Sequence, residues 1–282
     1  MLPYQGVPSG AGAYRKAFAV VETLWTRNVP DGGFDVPPAE RLKEMEFEVD
    51  GLTLRGTLHL PPNRRPPLVI GSHGLLSSAA SPKQIALAEA CTRRRMAYLR
   101  FDHRGCGRSE GRFETVTSLE ARCLDLIQAC RSAQAHYPLG EPLGLFGSSF
   151  GGTVCLASAA RLNPDCLATY AAPVRSRQLA AHQEAVADPS AVPSRLPDRF
   201  TFDIGACLPG IDRILIIHGD ADAVVPLSHA REILHAAGPL KQLVVQPGGD
   251  HPMSNPLHQK AFIRTTAEWF WSYLSGPSRS GP

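Results

Sequence analysis

The sequence predicts an α/β fold: a mostly parallel, eight-stranded sheet with helices on both faces. Two observations carry this prediction. From Glu44 onward, short apolar runs alternate with segments of helical pattern. Several of the runs, such as Ile214-Leu215-Ile216-Ile217, have no polar face, which marks strands covered on both sides. Length agrees, since 282 residues with 43% apolar content suit one large domain of ordinary globular composition.

Residues 1–43 stand apart as a Gly- and Pro-rich N-terminal extension. Within it, Ala17, Val20, Val21, Leu24 and Trp25 share one face of a predicted helix from Ala13 to Arg27. Residues 44–275 form the main domain and 276–282 a C-terminal tail. Met45, Phe47 and Val49 alternate with Glu46 and Glu48, and Leu52, Leu54, Gly56 and Leu58 continue the alternation. Asp50-Gly51 between these runs signals an antiparallel hairpin at a sheet edge.

The remaining elements follow in order. Leu68–Ile70 is a strand, and a helix starts at Pro82 with Ser81 as its N-cap. Met96–Phe101 is the next strand. A helix then starts near Ser118, with Thr117 and Glu120 spaced as a capping box. Pro142–Phe146 leads into a helix ending near Arg161, and Cys166–Tyr170 is a strand. Ile214–Ile217 precedes a helix over Leu227–Ala236. Gln242–Val245 reads as another buried strand, and Pro256–Leu274 as an amphipathic final helix. The rhythm fails between Tyr170 and Ile214, where prolines punctuate a stretch too long for an ordinary loop. Residues 174–208 are therefore expected to form a small cap inserted over the carboxyl edge of the sheet.

Charge and composition exclude several functions. A net charge of +3 argues against a dedicated nucleic-acid surface. No apolar run is long enough for a membrane span, and the start lacks a secretory signal pattern. Seven cysteines, without a C-x-x-C pair, suit a reducing cytoplasm better than a disulfide framework or a structural zinc site. His229 and His235 lack metal-ligand spacing and His182 stands alone, so neither a metal nor a cofactor is expected. The Gly105/Gly107 loop matches neither phosphate-binding glycine pattern.

Gly147-Ser148-Ser149-Phe150-Gly151 fits G-x-S-x-G, directly after a strand and directly before a helix. That is the setting of a nucleophile elbow, in which a strained turn exposes the serine. A serine hydroxyl needs an adjacent base, and the base needs an acid to hold its tautomer. Two later loops, each after a strand, supply both types. One runs from His218 to Pro226 and holds Asp220 and Asp222; the other is Pro247-Gly248-Gly249-Asp250-His251.

Together with Ser72-His73-Gly74-Leu75 and Asp102-His103-Arg104-Gly105-Cys106-Gly107-Arg108-Ser109, these segments stand in the order found in α/β-hydrolases. From Glu44 to Leu274 the chain resembles the serine-hydrolase subgroup that includes monoacylglycerol-lipase-like, feruloyl-esterase-like and serine-aminopeptidase-like members. The resemblance implies an α/β-hydrolase fold with Ser149 as nucleophile and His251 as general base. It places the acid at Asp222, with Asp220 as the rival two residues earlier. It implies an oxyanion hole made by the backbone N–H groups of Leu75 and Phe150. Asp250 then braces its loop, His73 shapes its own, and Asp102–Ser109 forms the site floor. The expected reaction is cleavage of a carboxylic ester of a small molecule through an acyl-enzyme. Peptide, thioester or acyl-transfer chemistry on the same scaffold, or a silent binding role, are the alternatives.

Overall fold

A computed structural model describes residues 42–177 and 198–276. The predicted helix at Ala13–Arg27, most of the N-terminal extension, the centre of the expected cap and His182 lie outside these residues.

The chain opens with β1 (Leu42–Val49) and β2 (Leu52–His59), paired antiparallel through Val49 and Leu52. Asp50 and Gly51 both take positive φ, 51° and 75°, the turn geometry that matches the twist of a tight hairpin. Then follow β3 (Leu68–Ser72), α1 (Pro82–Arg93), β4 (Ala97–Phe101), α2 (Phe113–Val116), α3 (Leu119–His136) and β5 (Leu143–Ser148). The second half comprises α4 (Phe150–Leu162), β6 (Cys166–Tyr170), β7 (Ile214–Gly219), α5 (Leu227–Ala236), β8 (Lys241–Gln246) and α6 (Pro256–Leu274). One eight-stranded sheet results, in the order β1-β2-β4-β3-β5-β6-β7-β8. Its first two pairings are antiparallel and the other five parallel.

The period-2 geometry of strands sorts the core into two layers. Leu68, Ile70, Leu99, Leu145, Ile214 and Ile216 face α3, α4 and α5. Their sequence neighbours Val69, Tyr98, Phe146, Leu215 and Ile217 face α1 and α6. This is why these strands read as apolar throughout: both faces are covered. The strand order reverses between β3 and β5, so the loops leaving these neighbours diverge and open a crevice at their carboxyl ends.

Two local expectations are corrected. The cap of α3 is Ser118, whose side chain accepts from the Ala121 N–H at 3.1 Å. The Thr117 hydroxyl instead donates to the Arg104 carbonyl, so no Thr117–Glu120 capping box forms. Strand β8 is the sheet edge and is only partly buried, with Val245 exposed. An apolar run reads alike at an edge and in a centre; pairing on one side alone separates them. The short helix α2 falls where the sequence pattern suggested none.

Of the segment expected to be a cap, the described flanks join the main core. Phe200, Phe202, Ile204 and Leu208 are buried. Phe150 packs against Phe200 and Phe202, with ring centroids 6.2 and 5.5 Å apart.

Phe270 anchors the other layer: it is fully buried, and a Cβ added at Gly144 would lie 2.8 Å from its ring. Phe270→Ala is expected to cost about 3–5 kcal/mol of stability, read by urea denaturation. A loss below about 1 kcal/mol would contradict this packing.

Candidate active site

The crevice is built first by a turn. Ser149 sits between β5 and α4 at φ 53° and ψ −128°, a conformation that residues other than glycine adopt rarely and at a cost. Its N–H donates to the Tyr170 carbonyl at 2.7 Å, and its own carbonyl accepts from the Gly152 N–H at 2.8 Å. The flanking glycines are required by proximity. A Cβ on Gly147 would overlap the Gly151 backbone, and one on Gly151 would overlap the Ser72 carbonyl at the end of β3.

Around Ser149 the structure brings together two of the predicted residues from distant loops. His251 Nε2 lies 3.0 Å from Ser149 Oγ. His251 Nδ1 lies 2.7 Å from Asp222 Oδ2. The ring therefore donates through Nδ1 to the carboxylate and leaves Nε2 to accept from the serine. Asp222 is buried, and its other oxygen accepts from the N–H groups of Val224 and Val225, both at 2.8 Å. Burial opposes its charge, but His251 and the two N–H groups outweigh this and hold its pKa below the usual carboxylate range. Asp220 points elsewhere, accepting from the Gly248 N–H at 2.6 Å. Asp250 accepts from the Ser254 N–H at 2.7 Å and so braces the turn after His251.

Leu75 lies in the loop after β3, next to Gly74, where an added Cβ would come 3.6 Å from Ser149 Cβ; Phe150 follows the serine directly. Phe150 is the first residue of α4, where an N–H has no partner within the helix. Neither the Leu75 nor the Phe150 N–H finds an acceptor among the described residues. A network beneath supports the first loop. His73 donates through Nδ1 to the Gly74 carbonyl at 2.8 Å and accepts through Nε2 from the His103 N–H at 3.1 Å. His103 bridges Ser72 Oγ at 2.8 Å and Asp125 Oδ2 at 3.3 Å, all three being buried. Asp102 accepts from the N–H groups of Ala79 and Arg108, which ties the Asp102–Ser109 segment to the loop before α1.

Two site-side residues escaped the sequence reading. Lys83 of α1 places Nζ 3.2 Å from Ser148 Oγ and 4.1 Å from the centre of the Tyr170 ring. Burial pushes its pKa down to about 8, partly offset by Asp222 and Asp250. Tyr170 in turn donates to the Asp250 carbonyl at 2.6 Å, which ties the cation to the His251 loop. The signal was a lysine in the first turn of a helix, where the dipole disfavours a cation. Arg122 of α3 is the second, fully buried on the helix stripe that carries Leu119 and Leu126. Among the described residues, no group of three or more His, Cys, Asp or Glu side chains could hold a metal ion. No helix among them is long and apolar enough to cross a membrane.

Comparisons agree with this architecture. The family model described as "Serine aminopeptidase, S33" matches residues 64–191, somewhat under half of the chain. Est1E from Butyrivibrio proteoclasticus, solved with ferulic acid, is 21% identical with a TM-score of 0.68, covering 82% of this chain and 100% of that one. The Pyrococcus furiosus esterase Pf2001 gives 18% identity and a TM-score of 0.70, over 82% and 90%. XC6422 from Xanthomonas campestris, an α/β serine hydrolase without a lid, gives 21% and 0.63, over 84% and 97%. No curated protein sequence matches the chain.

The buried histidines carry a pH prediction. Burial, reinforced by neighbouring guanidinium groups, pushes His103 and His59 down to about 4. The unfolded chain protonates its histidines near the ordinary value of about 6.5. Their contribution to stability is therefore full above that pH and is lost as pH falls from there toward 4. The unfolding temperature should drop over this interval, and imidazole NMR should show His103 neutral until about pH 4. Titration of His103 near its ordinary value would refute the dry network.

Proposed function

We propose that the chain is a serine hydrolase of the α/β-hydrolase superfamily that cleaves carboxylic esters through an acyl-enzyme. The observation that carries this reading is the continuous path from Ser149 Oγ through His251 to the buried Asp222, at 3.0 and 2.7 Å, on a strained turn. The esterase descriptions of the structural neighbours support the choice of an ester bond.

In this reading Ser149 Oγ attacks the ester carbonyl carbon while His251 Nε2 takes its proton. Asp222 holds the ring in the tautomer that can do this and stabilises the imidazolium that forms. The carbonyl oxygen becomes an oxyanion between the N–H groups of Leu75 and Phe150. The carbon–oxygen bond to the alcohol breaks, and the alcohol leaves with the proton from His251. Water then attacks the acyl-serine by the same route, releasing the acid and restoring the hydroxyl. The cysteine pattern supports a cytoplasmic setting.

Hydrolysis of p-nitrophenyl esters from two to sixteen acyl carbons tests this reading. Ser149→Ala should abolish turnover, and full activity in that variant would refute it. Asp222→Asn should lower kcat by about 10³–10⁴-fold by losing the tautomer control, whereas Asp220→Asn should fall less than about tenfold. The reverse ranking would move the acid to Asp220. The family model's description favours a second reading, removal of an N-terminal amino acid. Aminoacyl p-nitroanilides cleaved faster than every ester would establish it.

A further inference from the structure

Arg122 is the largest fully buried side chain in the described protein, and the chemistry above does not use it. Among the described residues it forms no ion pair: Asp125, one turn along α3, is occupied by Arg104 and His103. Burying a cation without a paired carboxylate carries a heavy desolvation cost, so its donors must be spent on something. The two terminal nitrogens are spent on two consecutive carbonyls, while Nε is buried without an acceptor among the described residues. Nη1 donates to the Gly74 oxygen at 3.2 Å and Nη2 to the Leu75 oxygen at 2.7 Å, with Cys106 Sγ 3.1 Å from Nη2. The guanidinium carbon also lies 5.5 Å from the centre of the Phe150 ring.

The first of those carbonyls belongs to the same peptide unit as the Leu75 N–H. A peptide unit polarises as a whole. A cation at its oxygen draws density toward that end and makes its N–H a stronger donor. His73 Nδ1–H adds a second donor to the same oxygen. The guanidinium fork also fixes the direction of two successive peptides, which sets where the Leu75 N–H points. One side chain thus grips the loop of one proposed oxyanion donor and touches the ring of the residue that carries the other.

We propose that Arg122 is a positioning residue of the oxyanion hole, its guanidinium fork aiming and polarising the Gly74–Leu75 peptide toward the developing oxyanion. This rests on the reading that Ser149 forms a tetrahedral intermediate. The effect belongs to the transition state, because the ester carbonyl in the ground state carries little charge. It should therefore appear in kcat rather than in KM.

The experiment pairs ester kinetics with binding of a trifluoromethyl ketone analogue. The ketone adds Ser149 Oγ to its carbonyl carbon, passes the serine proton to His251, and leaves an alkoxide oxygen where the oxyanion would form. Arg122→Gln removes the charge and the fork. It should lower kcat by about 10–100-fold, below the 10²–10³ typical of losing a donor outright, with KM within about twofold. Ketone affinity should fall by the same factor. Arg122→Lys restores the cation on one carbonyl only and should recover part of both losses. It also decides the matter if the glutamine variant does not fold: full kcat and full ketone affinity in Arg122→Lys would overturn the role of the fork. Unchanged kcat in Arg122→Gln, or a loss confined to KM, would overturn the proposal outright. Ser149→Ala keeps the two readings apart. If it retains turnover, the serine mechanism fails; if it is inactive while both Arg122 variants are normal, only the present inference fails.

Discussion

The crossing of the β5–α4 turn over the end of β3 is the constraint on which the rest of the molecule depends. Ser149 is held at positive φ because the chain must leave the sheet and enter a helix within a single residue. That reversal brings Gly151 against the Ser72 carbonyl, so no side chain fits there. A turn of this kind stores strain on the order of 1–3 kcal/mol, and it persists only where its surroundings over-determine it. Here the Tyr170 carbonyl on one side and the packed start of α4 on the other hold it.

Everything near the serine takes its position from that crossing. The switch in strand order places the β3 and β5 loops on opposite sides of one crevice, which sets Leu75 and Phe150 apart. Farther along the same sheet edge, β7 and β8 end in loops that deliver Asp222 and His251. Beneath this layer lies a second, drier one. Ser72, His103, Asp125, Arg104 and Arg122 are buried together; the first four bond to one another, and Arg122 reaches the Gly74 and Leu75 carbonyls of the loop after β3. Polar groups so buried are costly unless engaged, and each bond they make to a loop restrains it. Rigidity is what preorganised donors require, since a dipole that must reorient stabilises less charge.

Much of the architecture was legible from pattern. The Asp50-Gly51 hairpin and the helices at Leu227–Ala236 and Pro256–Leu274 carry local signals strong enough to fix their bounds. Ser149 and His251 could be singled out because the chemistry demands those residue types after strands in that order, while the choice of Asp222 over Asp220 came from the family resemblance. The failures were equally physical. Thr117 and Ser118 are both competent caps, and the contact of Thr117 with the Arg104 carbonyl decides between them. Gln242–Val245 has the composition of a buried strand, yet nothing pairs with its outer side among the described residues.

By itself, the sequence determined the alternation of strands and helices, the two-sided sheet, and the residue types available for nucleophilic chemistry. These follow from local periodicity and short-range motifs, which the chain carries wherever it folds. Residue types left two aspartates open to His251, and the tertiary structure brings Asp222 to it: the two share a loop, and the path of the backbone turns one inward and the other toward Gly248. It also decided that Lys83 reaches the elbow from α1 and that Arg122 faces carbonyls rather than a carboxylate. Such partners lie tens of residues away in sequence, and a long-range contact leaves no mark on local pattern. Packing brings them together.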